Sequence, residues 1–310
     1  MTGYLVRRLA ALIPTLILVS MLAFGFTELA GGDPAREAAE QGDGDLASDE
    51  LVAELRSRWG LDDALPVRYV HWLFDAVRGD LGESYLSGRP VADELLAKYP
   101  ATLLLALTAL ILASIVGIPL GVLVGLNSNS WIDHLGRIGA VSIAAVPGFW
   151  LGLLLIVLFA EVLGLLPAGG FGLDGHLLLP AAALGALPAA TVTRLTRASV
   201  LEVQSQDYVR TAQAKGLGPR LVARRHILPN ALVPSVTFLG LQFGHMVGGA
   251  IVIESIFAWP GVGQVILTAV SGRDIPVIAG FVLLSGLVYV VVNLAVDLFY
   301  VVLDPRVRLG

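Results

Sequence analysis

Few residues in this chain of 310 have the type and spacing that covalent chemistry needs. A P-loop holds nucleotide phosphates with a lysine that follows glycine, and the two lysines here, Lys98 and Lys215, each follow alanine. Cysteine is absent, which excludes disulfides and thiolate catalysis and leaves the redox compartment open. The five histidines, at 71, 134, 176, 226 and 245, sit on different segments and share no ligand spacing, so they make no metal site. No serine, histidine and aspartate combine into a plausible triad. What remains are polar and ionisable residues inside apolar runs, where a charge is expensive and usually has a use. These are Glu161, Glu254 and Asp297, with Gln242 and His245. Each has a plainer reading: Glu161 as an end residue reaching the interface, Asp297 as an ion-pair partner of Arg194 or Arg197, Gln242 and His245 as bridges between helices. Glu254, one turn past Gly248-Gly249, either lines a path through the membrane or fixes the loop that follows.

The densest set of charged side chains lies at 207–230, DYVRTAQAKGLGPRLVARRHILPN. Arg210, Lys215, Arg220, Arg224 and Arg225, with Arg197 nearby, face only Asp207 and Glu202. This is equipment for docking, not for bond chemistry. The order of residues predicts two short helices joined at a bend. Asp207 is placed to cap the first, whose apolar positions are Val209, Ala212 and Ala214. Gly216 stands where a left-handed helix stop favours glycine, and Gly218-Pro219 opens the second helix. Two helices at an angle form a knob that a partner can grip.

Composition supplies the frame around it. With 56% hydrophobic and 15% charged residues and a mean hydropathy of +0.79, the chain reads as an integral membrane protein. The net charge of −5 conceals an asymmetry: residues 31–98 hold 15 acidic and 7 basic side chains, and the rest of the chain is net positive. Residues 9–27 are uncharged for 19 positions, about 28 Å as a helix and enough to span. A cleaved signal peptide is disfavoured there by the length of the run and by Glu28 before Ala30. Further spans are predicted at 100–126, 138–160, 175–193, 227–253 and 275–296. Gly117, Gly121 and Gly125 on the second, and Gly240, Gly244 and Gly248 on the fifth, form small-residue stripes for close helix approach.

Between the first two spans, Ser48 caps a helix carrying Leu51, Val52, Leu55 and Trp59, stopped by Gly60. Pro66 opens another with Tyr69, Val70, Leu73, Phe74 and Val77 on its apolar positions, stopped by Gly79, and a short third follows Pro90. These amphipathic helices pack on one another or on the membrane surface. Arg7, Arg8, Arg137, Arg194, Arg197, the basic residues of 207–230, Arg306 and Arg308 all fall on one side of a six-span arrangement. The short loops of the other side hold Arg273 alone, so both termini and the knob are expected in the cytoplasm.

The 207–230 stretch resembles the EAA loop of permease subunits in ABC importers, a Glu-Ala-Ala, glycine, Ile-x-Leu-Pro pattern. Gly216 matches the glycine, and His226-Ile227-Leu228-Pro229 follows at the family spacing with histidine for the first isoleucine. Arg210-Thr211-Ala212 keeps only the second alanine, a departure usual in the dipeptide/oligopeptide/nickel branch. GLDDALPVRY, RGDLGES, GRPVADEL and YPATLLL, then WPGVGQVILTAVSGRDIPVIAG and DLFYVVLDPRVRLG, are similar to the same branch, so the likeness covers nearly the whole chain.

The resemblance implies an all-α integral membrane fold with six transmembrane helices, that of type I ABC importer permeases. It implies 1–30 as N-terminus and first span, 31–98 as an extracytoplasmic helical segment, and 99–310 as a five-helix core with its coupling loop at 203–230. Coupling to the ATPase is then expected at Asp207, Arg210, Thr211, Ala212, Lys215, Gly216, Leu217, Arg220, Pro229 and Asn230. The expected substrate-path residues are Gln242, His245, Gly248, Gly249 and Glu254. The implied partners are a homologous second permease, one or two P-loop ATPase subunits, an extracytoplasmic solute-binding protein and the bilayer, with no nucleic acid. No cofactor is expected in this chain, since ATP and Mg belong to the ATPase subunits, and no enzymatic step is its own. Two rival readings stand beside this one. A self-sufficient secondary transporter or channel would call for internal repeats and midplane ion sites, and a membrane anchor of a signalling complex would leave the glycine stripes unexplained.

Overall fold

The computed structural model describes residues 13–22, 24–25, 33–43 and 48–303, and among these every regular element is helical. The short elements at the start are α1 (Ile13–Leu22), α2 (Pro34–Asp43), α3 (Asp49–Arg58) and α4 (Leu65–Val77). Four described helices are long and apolar enough to cross a membrane: α5 (Val91–Leu126), α8 (Leu178–Gln204), α12 (Val233–Ile256) and α14 (Ile275–Leu303). A bent pair, α6 (Trp131–Ala145) and α7 (Gly148–Leu155), the latter continued by a π-helical segment Ile156–Val162, is apolar enough to form either one broken span or a re-entrant loop. A short apolar helix, α13 (Val262–Ser271), precedes α14. The described part of the expected first span is α1, followed by residues 24–25.

Several boundaries differ from those read off the sequence. The short helix expected after Pro90 is continuous with the second span, so α5 runs for 36 residues. Pro100 and Pro119 do not stop it. The third span is not one rod: Val146 turns extended (φ −90°, ψ 126°) ahead of Pro147, and the axes of the pair meet at 104°. Proline disfavours helical backbone in the residue before it, which is why the break falls here. α8 continues past Arg194 and Arg197 to Gln204, so those arginines are helical. α12 starts at Val233, because Pro229 and Pro234 divide the expected start into short pieces.

The chain divides into two compact units, one of described residues up to 101 with 261–291, the other of 102–260 with 292–303. In the second unit α8 is the hub, packing against α6, α7 and α12. The expected glycine stripe of α5 lies against it. A Cβ on Gly117 would sit 2.8 Å from the Ala189 carbonyl oxygen, and one on Gly121 would sit 2.5 Å from Thr196 Cβ. A Cβ on Gly125 would sit 2.8 Å from Val200 Cβ. With backbones this close, Thr193 Oγ1 donates to the Gly117 carbonyl (3.3 Å), and the Thr196 and Ser235 hydroxyls pair at 2.7 Å, tying α8 to α5 and α12. Small residues create the contact and hydroxyls satisfy each other inside it.

In the first unit, Ser48 caps α3 as expected, accepting from the Leu51 amide at 3.2 Å, and Gly60 and Gly79 have φ of +62° and +92°. Leu65, Tyr69 and Trp72 of α4 pack on a cluster of Phe24, Ile275 and Ala279. The expected apolar positions of α4 are therefore only partly used: Tyr69 and Leu73 are half-buried, whereas Val70, Phe74 and Val77 are exposed. Trp72 is the residue that faces inward in their place. Asp274, just before α14, is fully buried and accepts from Ser84 Oγ at 2.5 Å and from the Leu86 amide at 3.3 Å.

Candidate coupling knob and pathway face

The knob begins where α8 ends. Ser205 and Gln206 break the helix, and α9 (Asp207–Ala214) leaves from Gln206, which is the N-cap residue and makes no side-chain cap bond. Asp207 is thus the first helical residue, not the cap, where its charge still suits the positive end of the helix dipole. Its side chain is 3.6 Å from Arg210, an exposed pair worth little on its own. α9 stops in a Schellman motif. Gly216 has φ of +80°, its amide bonds the Gln213 carbonyl at 2.9 Å, and the Leu217 amide reaches back to Ala212 at 3.4 Å. The left-handed glycine brings Leu217 over the apolar side of α9. Gly218 and Pro219 then open α10 (Pro219–Val222), as the residue order predicts, and a π-helical turn (Ala223–Ile227) and α11 (Leu228–Ala231) lead into α12.

The base of the knob is an apolar cluster of Val200, Val209, Ala212, Val222, Ile227 and Ala231, with Val203 and Leu217 packed on it. Val200 belongs to α8, so the knob is seated on the hub helix. Of the residues expected to couple, Ala212 is buried and Leu217 half-buried, which makes them part of this base. Asp207, Arg210, Thr211, Lys215, Gly216, Arg220, Pro229 and Asn230 are exposed on its outside. Ala214 is exposed as well, contrary to its apolar reading. Tyr208 (44% exposed) and Leu221 sit among the basic residues, an aromatic and apolar component that charge counting misses. Thr211 Oγ1 and Asn230 Nδ2 bond carbonyls one turn back, at Asp207 and His226, so both side chains are spent locally.

Arg197, counted among the free basic residues in the sequence, is not free. Its Nε and Nη2 reach Asp133 Oδ1 and Oδ2 at 2.6 and 2.8 Å, and Asp133 has no exposed surface. Asp133 also accepts from the Asn129 amide (2.9 Å), held by Asn129 at φ +62°. Asp133 was not distinguished by sequence, because one acid near Arg137 reads as an ordinary end charge. Asp297, the partner proposed for Arg197, has a side chain outside the described residues.

On α12, His245, Gly248 and Gly249 are exposed, Gln242 is half-buried, and a Cβ at either glycine would meet nothing within 4 Å. The His245 ring bonds the Leu241 carbonyl one turn back (3.1 Å). The stripe expected for packing thus diverges: Gly244 is buried, and Gly248 opens outward. Glu254 differs from these. It is fully buried, and Thr102 Oγ1 of α5 donates to Oε1 at 2.5 Å. Its carbonyl accepts from the Trp259 amide at 2.8 Å across Ala258, which holds φ of +48°. Trp259 and Phe257 are completely enclosed, Gly169 and Gly170 close over Phe257, and Phe171 packs on the Trp259 ring at 4.9 Å. Glu254 is a joint between α5, α12 and the loop after it.

Helices of membrane length and an exposed basic elbow seated on the hub helix define the class as an integral membrane protein. The chain matches the family model of the binding-protein-dependent transport system inner membrane component over residues 117–309, and that of its N-terminal part over 1–106. It belongs to that family. It is a permease subunit of an ABC importer, a multi-pass inner membrane protein without a catalytic step or cofactor of its own. It works in a complex with an ATPase and a binding protein.

Among curated relatives, it is 43% identical over 308 residues to the glutathione transport system permease protein GsiC of Escherichia coli O6:H1, covering 99% of both chains. Against the same protein of Escherichia coli K12 the identity is 42%, with the same coverage. Among solved structures, the inward-facing MetNI methionine ABC transporter aligns with a TM-score of 0.56 and 19% identity, over 68% of this chain and 96% of that one. An amino acid ABC transporter with histidines aligns at 0.51 and 20%, over 67% and 92%. These two likenesses concern the fold.

Proposed function

We propose that this subunit passes short peptides, with glutathione-like tripeptides as the first candidates, through a path shared with a homologous second permease. The full-length identity with the glutathione permease is the observation that carries this reading. The first unit adds a chemical argument. An open groove of about 480 Å³ is lined by Arg89, Asp93, Glu94 and Lys98 beside Gln264 and Thr268, and a zwitterionic peptide offers charge of both signs to such a surface. The path itself runs along the open face of α12, with Gln242, His245, Gly248 and Gly249 toward the solute or the second permease. Glu254 holds that helix from behind.

Coupling runs through the knob. The exposed outside of 207–230 is gripped by the ATPase, and its apolar base passes the movement to α8, which carries α6, α7 and α12 with it, and α5 through the glycine stripe. The knob and both termini lie in the cytoplasm of a bacterial cell, and the 31–98 segment faces the binding protein. The secondary-transporter reading gives way to the family membership. Reconstitution with the partner subunits and uptake of labelled glutathione, dipeptides and a nickel chelate tests the proposal. ATP-dependent uptake of a peptide supports it, and uptake of the chelate alone overturns the substrate assignment. Mass spectrometry of the ligand held by the binding protein gives an independent answer.

A further inference from the structure

The groove at the start of α5 has three walls: the turn 84–90, the first two turns of α5, and α13. Its floor is Ala269, Asp274 and Val277, all buried. A volume of about 480 Å³ lies in the range of small-molecule sites, which combine an apolar floor with a few placed polar groups.

The first wall is closed on itself and anchored. The Ser84 amide bonds the Arg89 carbonyl (2.9 Å), the Gly88 amide the Ser84 carbonyl (3.0 Å), and the Ser87 amide Ser84 Oγ (2.9 Å). Ser84 Oγ in turn donates to the buried Asp274 at 2.5 Å. Leu86 lies so close to Gly272 that a Cβ there would sit 2.6 Å from Leu86 Cδ1. Arg89 is therefore presented on a preorganised turn, which lowers the cost of ordering it around a ligand.

Along the chain the charges of the groove run basic, acidic, acidic, basic: Arg89, Asp93, Glu94, Lys98. Glu94 and Lys98 have the i,i+4 spacing at which opposite charges pair on a helix. Among the described residues, however, none of the four makes an ion pair, and each keeps solvent exposure. Asp93 and Glu94 suit the positive end of α5, but the helix dipole asks nothing of Arg89 or Lys98. Gln264 on α13 lines the third wall, exposed and with its side-chain amide in no hydrogen bond among the described residues. That amide offers one acceptor and two donors, the complement of a peptide group.

We infer that this groove is a subsite for a short peptide with free ends. Asp93 and Glu94 take the α-ammonium, Arg89 and Lys98 take carboxylates on either side, and Gln264 pairs with a peptide group. Glu94 and Lys98 are about 6 Å apart along the helix axis. An extended di- or tripeptide spans about 7–10 Å, a distance their side chains bridge. Two bases around one acidic pair favour a solute with two carboxylates and one ammonium, the charge set of glutathione. The inference rests on the reading above that the solute is a short peptide.

Because native cysteine is absent, a single cysteine at Ala97 or at Thr268, both exposed in the groove, reports its occupancy in the full complex in nanodiscs. The probe is S-methylglutathione, which keeps the ammonium and both carboxylates and carries no thiol. It is expected to slow labelling by a neutral maleimide saturably, read from the mass of this chain. Acetylating the ammonium or esterifying the carboxylates should each raise the half-protecting concentration roughly fivefold, the scale of one solvent-exposed charge pair. With Asp93→Asn and Glu94→Gln together, the acetylation penalty should vanish and the ester penalty stay. With Arg89→Gln and Lys98→Gln together, the reverse is expected. No protection of either cysteine up to about 10 mM, or penalties that these variants leave unchanged, overturns the inference. Protection by the solute-free binding protein and by no peptide overturns it in favour of a protein-docking surface. Uptake separates the two levels. A parent complex that transports S-methylglutathione without these effects refutes the subsite alone, and one that transports no peptide refutes the peptide reading and the subsite with it.

Discussion

Arg197 and Asp133 join α8 to α6 through two parallel hydrogen bonds of 2.6 and 2.8 Å, with the carboxylate completely enclosed. The pair sits two turns before the knob, on the helix that seats it. A bidentate Arg–carboxylate contact fixes angle as well as distance, so it sets how α8 leaves the bundle.

Asp133→Asn keeps the shape but leaves Arg197 without its counter-charge. Because the arginine retains some exposure, the cost is about 2–3 kcal/mol, below that of a fully enclosed pair. The expected outcome is reduced assembly with the ATPase at unchanged membrane insertion, measured by subunit retention on a sizing column. Arg197→Lys, with Asp133 intact, is expected to retain the ATPase only in part, since one ammonium replaces a two-pronged contact. Full retention in Asp133→Asn would make the pair incidental.

Gly216 tests the elbow. Nothing lies within 4 Å of a Cβ there, so substitution meets only the backbone penalty of a positive φ. That penalty is about 1 kcal/mol for an ordinary side chain, is less for asparagine, and is largest for a β-branched residue. Gly216→Asn is expected to transport near normally. Gly216→Val reaches normal abundance yet loses solute-stimulated uptake, either shedding the ATPase or hydrolysing ATP without coupling. Uptake and ATPase rates measured together in proteoliposomes decide it, and coupled transport by the valine variant would remove this bend from the mechanism.

Two glycines separate packing from path. A Cβ on Gly121 would lie 2.5 Å from Thr196 Cβ and 2.7 Å from the Thr193 carbonyl, so Gly121→Val forces α5 off α8. The expected result is low abundance and protease sensitivity, from overpacking of about 1–3 kcal/mol or more. Gly248→Val meets open space within this chain and is expected to assemble, with uptake lowered through the second permease or the solute. Equal abundance and equal uptake in both variants would contradict this division.

Glu254 is expected to behave as a joint. Glu254→Gln retains an acceptor for Thr102 and preserves both assembly and uptake, whereas Thr102→Val leaves a buried carboxyl short of a donor, at about 1–3 kcal/mol. Thermal stability of the purified complex should fall for Thr102→Val and hold for Glu254→Gln. Lost uptake in a fully stable Glu254→Gln complex would return this residue to the path.

Asp274 gives a pH signature. Burial pushes its carboxyl above the ordinary value, and the donors from Ser84, Leu86 and Val277 only partly offset this. The folded state thus prefers the protonated form. The corresponding stability is fully present below the ordinary value of 3.8 and is lost as pH rises from there through the raised value. Hydrogen exchange in 81–91, corrected for intrinsic rates, should quicken across that window, and Asp274→Asn should abolish the pH dependence. A pH-independent exchange rate in the parent chain would argue against it.

Much of this was legible without coordinates. Uncharged runs of membrane length, the glycine stripe of α5 and the Gly216 stop each depend on local sequence, because the bilayer demands internally bonded helices and a left-handed stop favours glycine. Val146-Pro147 also carried its signal, since proline acts on the residue before it, but an apolar run hides a bend when hydropathy alone is followed. The face of α4 was misread because periodicity marks apolar positions without saying which neighbour takes them. Tyr69 and Trp72 found Phe24, and the valines beside them did not.

The sequence by itself determined the membrane class, the helical elements, the basic elbow and the likeness to importer permeases. These follow from composition, periodicity and short-range backbone preferences. Only the tertiary structure decided that Arg197 belongs to Asp133, that Glu254 is enclosed against Thr102, and that Gly248 opens outward while Gly121 packs. Those outcomes depend on which helices meet and at what distance. Residues 64 or 152 positions apart become partners only when the packed helices bring them within hydrogen-bond reach.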